Sequence, residues 1–260
     1  MKSPNNGVRC PRSVTLLIPT LNEIRGLEAI MPRIDRDWVD QILFVDGNSV
    51  DGTIDWIRQH DYELVVQTKP GIRGAYQDAF PFIRGDLVIT FSPDGNSVPE
   101  LIPELLEKLN QGFDMVVVSR YLDGAKSLDD DALSSFGNWL FTKTINVLYG
   151  ANYTDAMGIY RGYRTQLLTD LELLNDRWYG PLERMLGITG LGCEPLISTR
   201  VARAKLSIGE IQGDEPTRID GHSQVFPNVF IKIKWGLALY MQILVDRFRW
   251  DDLTTSRKEP

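Results

Sequence analysis

Leu87-Val88-Ile89-Thr90-Phe91-Ser92-Pro93-Asp94-Gly95-Asn96-Ser97-Val98-Pro99-Glu100 decides how the chain is read. Its first four residues form an apolar run rich in β-branching, the pattern of a buried strand. Pro93, Gly95 and Pro99 then break regular structure. Residues 101–109 follow with helical spacing, with Pro99 near the first turn and Gly112 just past the end. A carboxylate, Asp94, therefore stands where a buried strand gives way to a loop. In open α/β sheets, ligands bind just outside the carboxyl ends of the strands. Asp94 and Asn96, two apart in such a loop, offer hard oxygens to Mg²⁺ or Mn²⁺ and, through the ion, to a diphosphate. In isolation Asp94-Gly95 also reads as an ordinary turn and Asn96 as a helix cap, so the remainder of the chain has to decide.

Working outward, similar apolar runs occur at residues 14–18, 42–45, 63–66 and 115–118, with helical patterns between them. Near-continuous apolar strands alternating with helices predict an α/β fold with a mostly parallel sheet covered on both faces. Four of the five runs end in Pro19, Asp46, Ser92 to Asp94, and Ser119-Arg120. In a parallel sheet those ends share one edge, so residues far apart in sequence converge on one crevice.

The second half is less regular. Residues 122–131 read as a loop whose aspartates, Asp129 to Asp131, are expected to be a solvated charge run. Residues 134–149 have helical spacing, and residues 163–174 and 181–191 read as helices. Residues 199–202 and 206–211 read as two short antiparallel strands. Residues 214–228 form a polar loop, and 231–248 an amphipathic helix that packs on the domain or lies on a membrane surface.

Composition narrows the chemistry. With 260 residues, 43% of them hydrophobic and 24% charged, the chain suits a globular protein with a sizeable core. A net charge of −7 argues against bulk electrostatic binding of nucleic acid. Cys10 and Cys193 form no C-x-x-C pair, and two cysteines in this length fit a reducing cytoplasm. Neither a secretory leader nor a transmembrane run is expected. There is no P-loop and no G-x-G-x-x-G fingerprint, and Gly221 to Val225 only approximates G-x-S-x-G.

Five segments, taken together, resemble family 2 glycosyltransferases: V-T-L-L-I-P-T-L-N-E (14–23), V-D-G-N-S-V-D-G-T (45–53), G-I-R-G-A (71–75), S-P-D-G-N-S-V-P-E (92–100) and V-S-R-Y (118–121). They come in that family's order and are most similar to its polyprenyl-phosphate hexose synthase branch. The resemblance spans about residues 13–225. It implies the GT-A fold, a nucleotide-diphospho-sugar donor and a divalent ion. By resemblance, Pro19, Leu21 and Glu23 cradle the nucleoside, and Asp46 reads the base. Arg73 and Gly74 lie near the nucleotide with Ser92. Asp94 and Asn96 hold the metal, and Arg120, Arg218 and Ser223 bind phosphate or acceptor. The chain departs from the family pattern at Ser92 and Gly47, where aspartates are expected, and at Asp130-Asp131, where a basic pair is expected. Gln224 stands where a lysine is expected.

The expected activity is hexosyl transfer to a polyprenyl phosphate or a hydroxyl, inverting in the manner of the family. A hydroxyl acceptor requires a base, for which Asp155 and then Glu183 are the candidates. Two alternatives are a binding protein that has lost catalysis through Ser92 and Gly47, and a sugar-1-phosphate nucleotidyltransferase. Residues 1–12 are read as a tail, 13–121 as the donor half, 122–228 as the acceptor half and 229–260 as the terminal helix with its tail. The expected setting is cytoplasmic, at the inner membrane face if the acceptor is a lipid.

Overall fold

The computed structural model describes residues 12–220 and 229–249. One seven-stranded sheet organises them: β1 (Val14–Thr20), β2 (Gln41–Asp46), β3 (Glu63–Val66), β4 (Leu87–Thr90), β5 (Met115–Ser119), β6 (Arg161–Arg164) and β7 (Ile208–Gln212). Their spatial order is β3-β2-β1-β4-β6-β5-β7. The pairings are parallel except those of β6, which runs antiparallel to both β4 and β5. Alternate residues of each strand feed opposite faces. Leu16, Ile18, Phe44 and Ile89 join one apolar cluster, and Leu17, Leu43, Val45 and Val88 join the other.

Helices α1 (Ile24–Ile30), α2 (Thr53–Gln59) and α4 (Ile102–Asn110) cover the first face. On the second face lie α3 (Gly71–Ala79), α5 (Ala132–Tyr149), α6 (Leu167–Asp170), α7 (Gly180–Leu186), α8 (Glu194–Arg203) and α9 (Val229–Arg249). The expected α/β architecture with a mostly parallel sheet is thus present. The helix expected at residues 134–149 forms from Ala132, with the Asp131 side chain capping it by accepting from the Ser134 amide at 2.8 Å.

Four local expectations fail. Arg161–Arg164 is a strand inside the sheet rather than the start of a helix, and only Leu167–Asp170 is helical in that region. The strand is pinned because Gly162 passes beneath α4, where an added Cβ would stand 2.5 Å from Leu105 and 2.7 Å from Leu109. Residues 199–202 lie in α8, not in a strand. Pro195 opens that helix, and its residues are buried on every side, so no amphipathic period shows in the sequence. The strand β7 pairs with β5 in parallel register instead of forming a hairpin. The helix expected to reach residue 191 stops at Leu186, where Gly187 adopts a left-handed conformation with φ 57°.

A buried ion pair joins α8 to α9. Arg200 donates from Nη2 and Nε to Asp246 Oδ1 at 2.7 and 3.0 Å, and both side chains are almost fully buried. Removing one partner strands the other charge out of water. Asp246→Ala is therefore expected to lower the free energy of unfolding by about 3–5 kcal/mol, measurable by denaturant titration. A loss inside the range of ordinary surface substitutions would show that the pair does not tie α9 down.

Candidate active site

A cavity of about 1380 Å³ opens along the carboxyl ends of the parallel strands. It exceeds the roughly 300–1,000 Å³ usual for one small ligand. Its sheet-side wall is built from strand ends. β1 runs out into Pro19, Leu21 and Glu23, and the loop after β4 supplies Ser92, Asp94 and Asn96. Arg120 follows β5 directly. Parallel register places these ends side by side, with Thr20 opposite Asp46 and Leu17 opposite Thr90.

Asp94 sits in a tight frame. Its Oδ1 accepts from the Asn96 amide at 3.1 Å, and its Oδ2 accepts from Arg218 Nε at 2.9 Å. Arg218 also reaches Asp129 at 3.2 Å. The Ile219 amide donates to the Asp94 carbonyl at 2.9 Å, bringing residues 214–220 across the loop. Ile219 lies over Gly95, whose φ of 98° suits glycine and where a Cβ would stand 2.7 Å from the isoleucine.

Arg120 is caged. It grips Asp155 through Nε at 2.6 Å and Nη2 at 3.1 Å, Glu215 at 3.2 Å and Asp130 at 3.5 Å. Burial pushes the Asp155 carboxyl up, but the Arg120 charge, its hydrogen bonds and backbone amides outweigh it and hold Asp155 below the usual carboxylate value. Burial raises Glu215 above its ordinary value, against the pull of Arg120. Two of the three aspartates are therefore not solvated. Asp129 and Asp130 are largely buried partners of Arg218 and Arg120, while Asp131, more open, pairs with Lys232 of α9 at 2.9 Å.

Five residues assigned from the sequence need correcting on position. The Asp46 carboxylate is fully buried and accepts from Thr20, Ser49 Oγ and the Ser49 amide, each at 2.7 Å. It braces the turn, while Gly47 and Asn48 face the cavity. Arg73 and Glu183, expected at the nucleotide and as a base, are bonded to each other at 2.9 and 3.2 Å. Glu183 also accepts from the Gly190 and Leu191 amides, and Arg73 stacks 4.0 Å from the Tyr179 ring centre. Neither lines the cavity, and together they staple α3 to α7. Asp155 lies beneath Arg120, fully buried, so it positions that guanidinium and is poorly placed to take a proton from an acceptor. Gly74 does not line the cavity either. A Cβ there would meet the Lys69 carbonyl at 2.5 Å, so it serves close packing. Ser223 lies outside the described residues. The residues missed from sequence are Asp129, Asp130, Asn138, Glu194 and Glu215, all of which line the cavity.

Away from the strand ends the cavity becomes apolar between α5 and α9, where Leu133, Phe136, Leu140, Ile233 and Leu237 line it. The same helices expose Trp139, Val147, Phe230 and Phe248 to solvent. Among the described residues no helix is long and apolar enough to cross a membrane.

A doubly covered sheet with a polar crevice at its strand ends is the GT-A glycosyltransferase architecture. Solved structures of glucosyl-3-phosphoglycerate synthase from Mycobacterium tuberculosis superpose with TM-scores of 0.60 to 0.63 at 16–17% identity, over 90–91% of this chain and 79–80% of theirs. That likeness shows the fold. Residues 15–171 match the model of glycosyl transferase family 2, and the chain belongs to that family as a nucleotide-sugar glycosyltransferase. An undecaprenyl-phosphate mannosyltransferase of Micrococcus luteus is 34% identical over 180 residues, covering 64% of this chain and 73% of that one. A dolichyl-phosphate hexose transferase of Haloferax volcanii is 28% identical over 200 residues, covering 76% and 80%.

Burial first, then the negative charge of Asp94, raises the Glu23 carboxyl from 4.5 to about 8. The native protein therefore holds this proton more tightly than the unfolded chain. Its contribution to stability is complete below pH 4.5 and is lost as pH climbs to about 8. In metal-free buffer, Glu23→Gln is expected to melt above wild type by a margin that widens across this window and then levels. A margin independent of pH would mean that Glu23 ionises normally.

Proposed function

We propose that this chain transfers a hexose from a nucleotide-diphospho-sugar to a lipid phosphate of the polyprenyl class, with inversion. The observation that carries the reading is the continuity of one cavity, from Glu23, Asp94 and Arg218 at the strand ends to the apolar channel between α5 and α9. The polar end suits a nucleoside diphosphate, and the apolar end suits an isoprenoid chain. The acceptors named for the relatives from M. luteus and H. volcanii are lipid phosphates, in keeping with that division. The outward apolar residues of α5 and α9 would rest on the inner membrane face that presents such an acceptor.

The residues fit a divalent ion shared with substrate. No cluster of three His, Cys, Asp or Glu suited to a metal occurs among the described residues. Mg²⁺, however, commonly takes one or two carboxylates and completes its shell with substrate phosphates and water. Asp94, with Asn96 beside it, would hold Mg²⁺ or Mn²⁺ in that way, and a relative of the same fold was crystallised with Mn²⁺ and UDP. When bound, the ion supplies charge neutralisation to the departing diphosphate. Arg218 would turn from Asp94 to phosphate oxygens, where a guanidinium binds two at once. Glu23 and Leu21 would flank the nucleoside, with Gly47 and Asn48 at the base. A phosphate acceptor is already an anionic nucleophile and requires no base, which agrees with Asp155 being committed to Arg120.

A hydroxyl acceptor is the second reading, favoured by the carboxylates Asp130 and Glu215 around Arg120, which disfavour a second anion. Turnover of UDP- and GDP-hexoses with polyprenyl phosphate, and in parallel with the phosphate-free polyprenol, separates the two. Product from the phosphate alone is expected. Product from the alcohol alone would overturn the lipid-phosphate assignment. Asp94→Ala is expected to lower turnover by roughly a hundredfold or more, the scale of Lewis-acid stabilisation. Undiminished, EDTA-insensitive turnover in that variant would remove Asp94 from the metal.

A further inference from the structure

Arg218 reaches the cavity on a strap, residues 214–220, that is fastened at both ends. Near its start the Glu215 amide donates to the Lys126 carbonyl at 2.9 Å, and the Glu215 carbonyl accepts from the Leu128 amide at 2.8 Å. Near its end the Ile219 amide donates to the Asp94 carbonyl at 2.9 Å, and Asp220 pairs with Arg25 of α1 at 2.7 Å. With the backbone fixed on either side, the Arg218 guanidinium meets Asp94 and Asp129 at once, at 2.9 and 3.2 Å. The three side chains are only 13–26% exposed, so water screens these contacts in part.

Both oxygens of Asp94 are therefore engaged, Oδ1 by the Asn96 amide and Oδ2 by the guanidinium. With Ser92 where an aspartate is expected, Asp94 is the one carboxylate in residues 92–96, and Arg218 already balances its charge. A divalent cation arriving alone has to displace a cation to reach Asp94, and leaves that cation with Asp129 as its remaining partner. Arrival of a diphosphate with the ion changes the balance. Phosphate oxygens offer a guanidinium two acceptors at once, so Arg218 gives up Asp94 for an equal or better partner while the ion takes its place.

We infer that Arg218 is an internal counter-ion that makes the site selective for a metal-nucleotide over the metal ion alone, admitting the ion to Asp94 only together with a diphosphate. This rests on the donor reading given above and adds an order to it. Metal ion and nucleotide enter as a pair, and each tightens the other by the same factor.

Titration of the full chain with Mn²⁺ tests this, following the free ion by electron paramagnetic resonance, alone and with UDP or GDP. Arg218→Gln is expected to bind Mn²⁺ alone about tenfold more tightly than wild type, the scale of one charge-assisted hydrogen bond, and to narrow the gap between Mn²⁺ alone and Mn²⁺ with nucleotide. Loss of a simple phosphate ligand would weaken binding with nucleotide and leave the ion alone unchanged, so the gain is the distinguishing readout. Arg218→Lys, which keeps the charge, is expected to stay near wild type with Mn²⁺ alone. Adding Asp94→Ala to Arg218→Gln is expected to abolish the gain, which assigns it to this carboxylate and not to acidic residues elsewhere. An Mn²⁺ affinity that Arg218→Gln leaves unchanged or lowers, beside normal tightening by nucleotide in wild type, would overturn the inference and leave the donor reading standing. An equal gain in Arg218→Lys, or one that survives the loss of Asp94, would overturn it as well. If neither nucleotide tightens Mn²⁺ binding in wild type, the donor reading itself fails, and the inference with it.

Discussion

A single guanidinium, that of Arg120, ties together three separate segments. It leaves β5, meets Asp155 ahead of β6, Asp130 ahead of α5 and Glu215 beyond β7. Three carboxylates around one cation leave a surplus of negative charge, which is costly out of water. The surplus is spread by further donors: the Met157 and Gly158 amides bond Asp155, while Ser127 and Asn96 bond Glu215. Without Arg120 these acids would repel one another, and the walls of the cavity would lose their common anchor.

The same constraint bears on why the proposed donor end of the cavity differs from the proposed acceptor end. At the donor end, Asp94 has one cationic partner, Arg218, which is half-buried and shared with Asp129. Arriving diphosphate and metal ion would bring both charges, so the exchange of partners costs little net charge. At the proposed acceptor end, cations are held by carboxylates already in place, and apolar surface dominates beyond them. A chain that recognises a lipid by burial of its tail depends less on free cations than one that recognises a small soluble anion.

Parts of the site were legible because loop chemistry is local. Pro19, Leu21, Glu23, Ser92, Asp94, Asn96, Arg120 and Arg218 were singled out from their positions after apolar runs or within recognisable segments, and all line the cavity. Arg73 and Glu183 carry the right chemistry, yet they neutralise each other across 110 residues, which no local pattern announces. Asp129 to Asp131 look like a solvated run until Arg120, Arg218 and Lys232 fold onto them.

The sequence by itself determined the strand-helix alternation, the parallel sheet and the rim on which its strand ends gather, because apolar periodicity and turn chemistry act over a few residues. Tertiary structure alone decided that Arg161–Arg164 enters the sheet, that residues 199–202 are helical, and which charges remain open to a substrate. Those outcomes depend on burial and on partners about 40 to 120 residues away, through forces that act across space and leave no periodic trace along the chain.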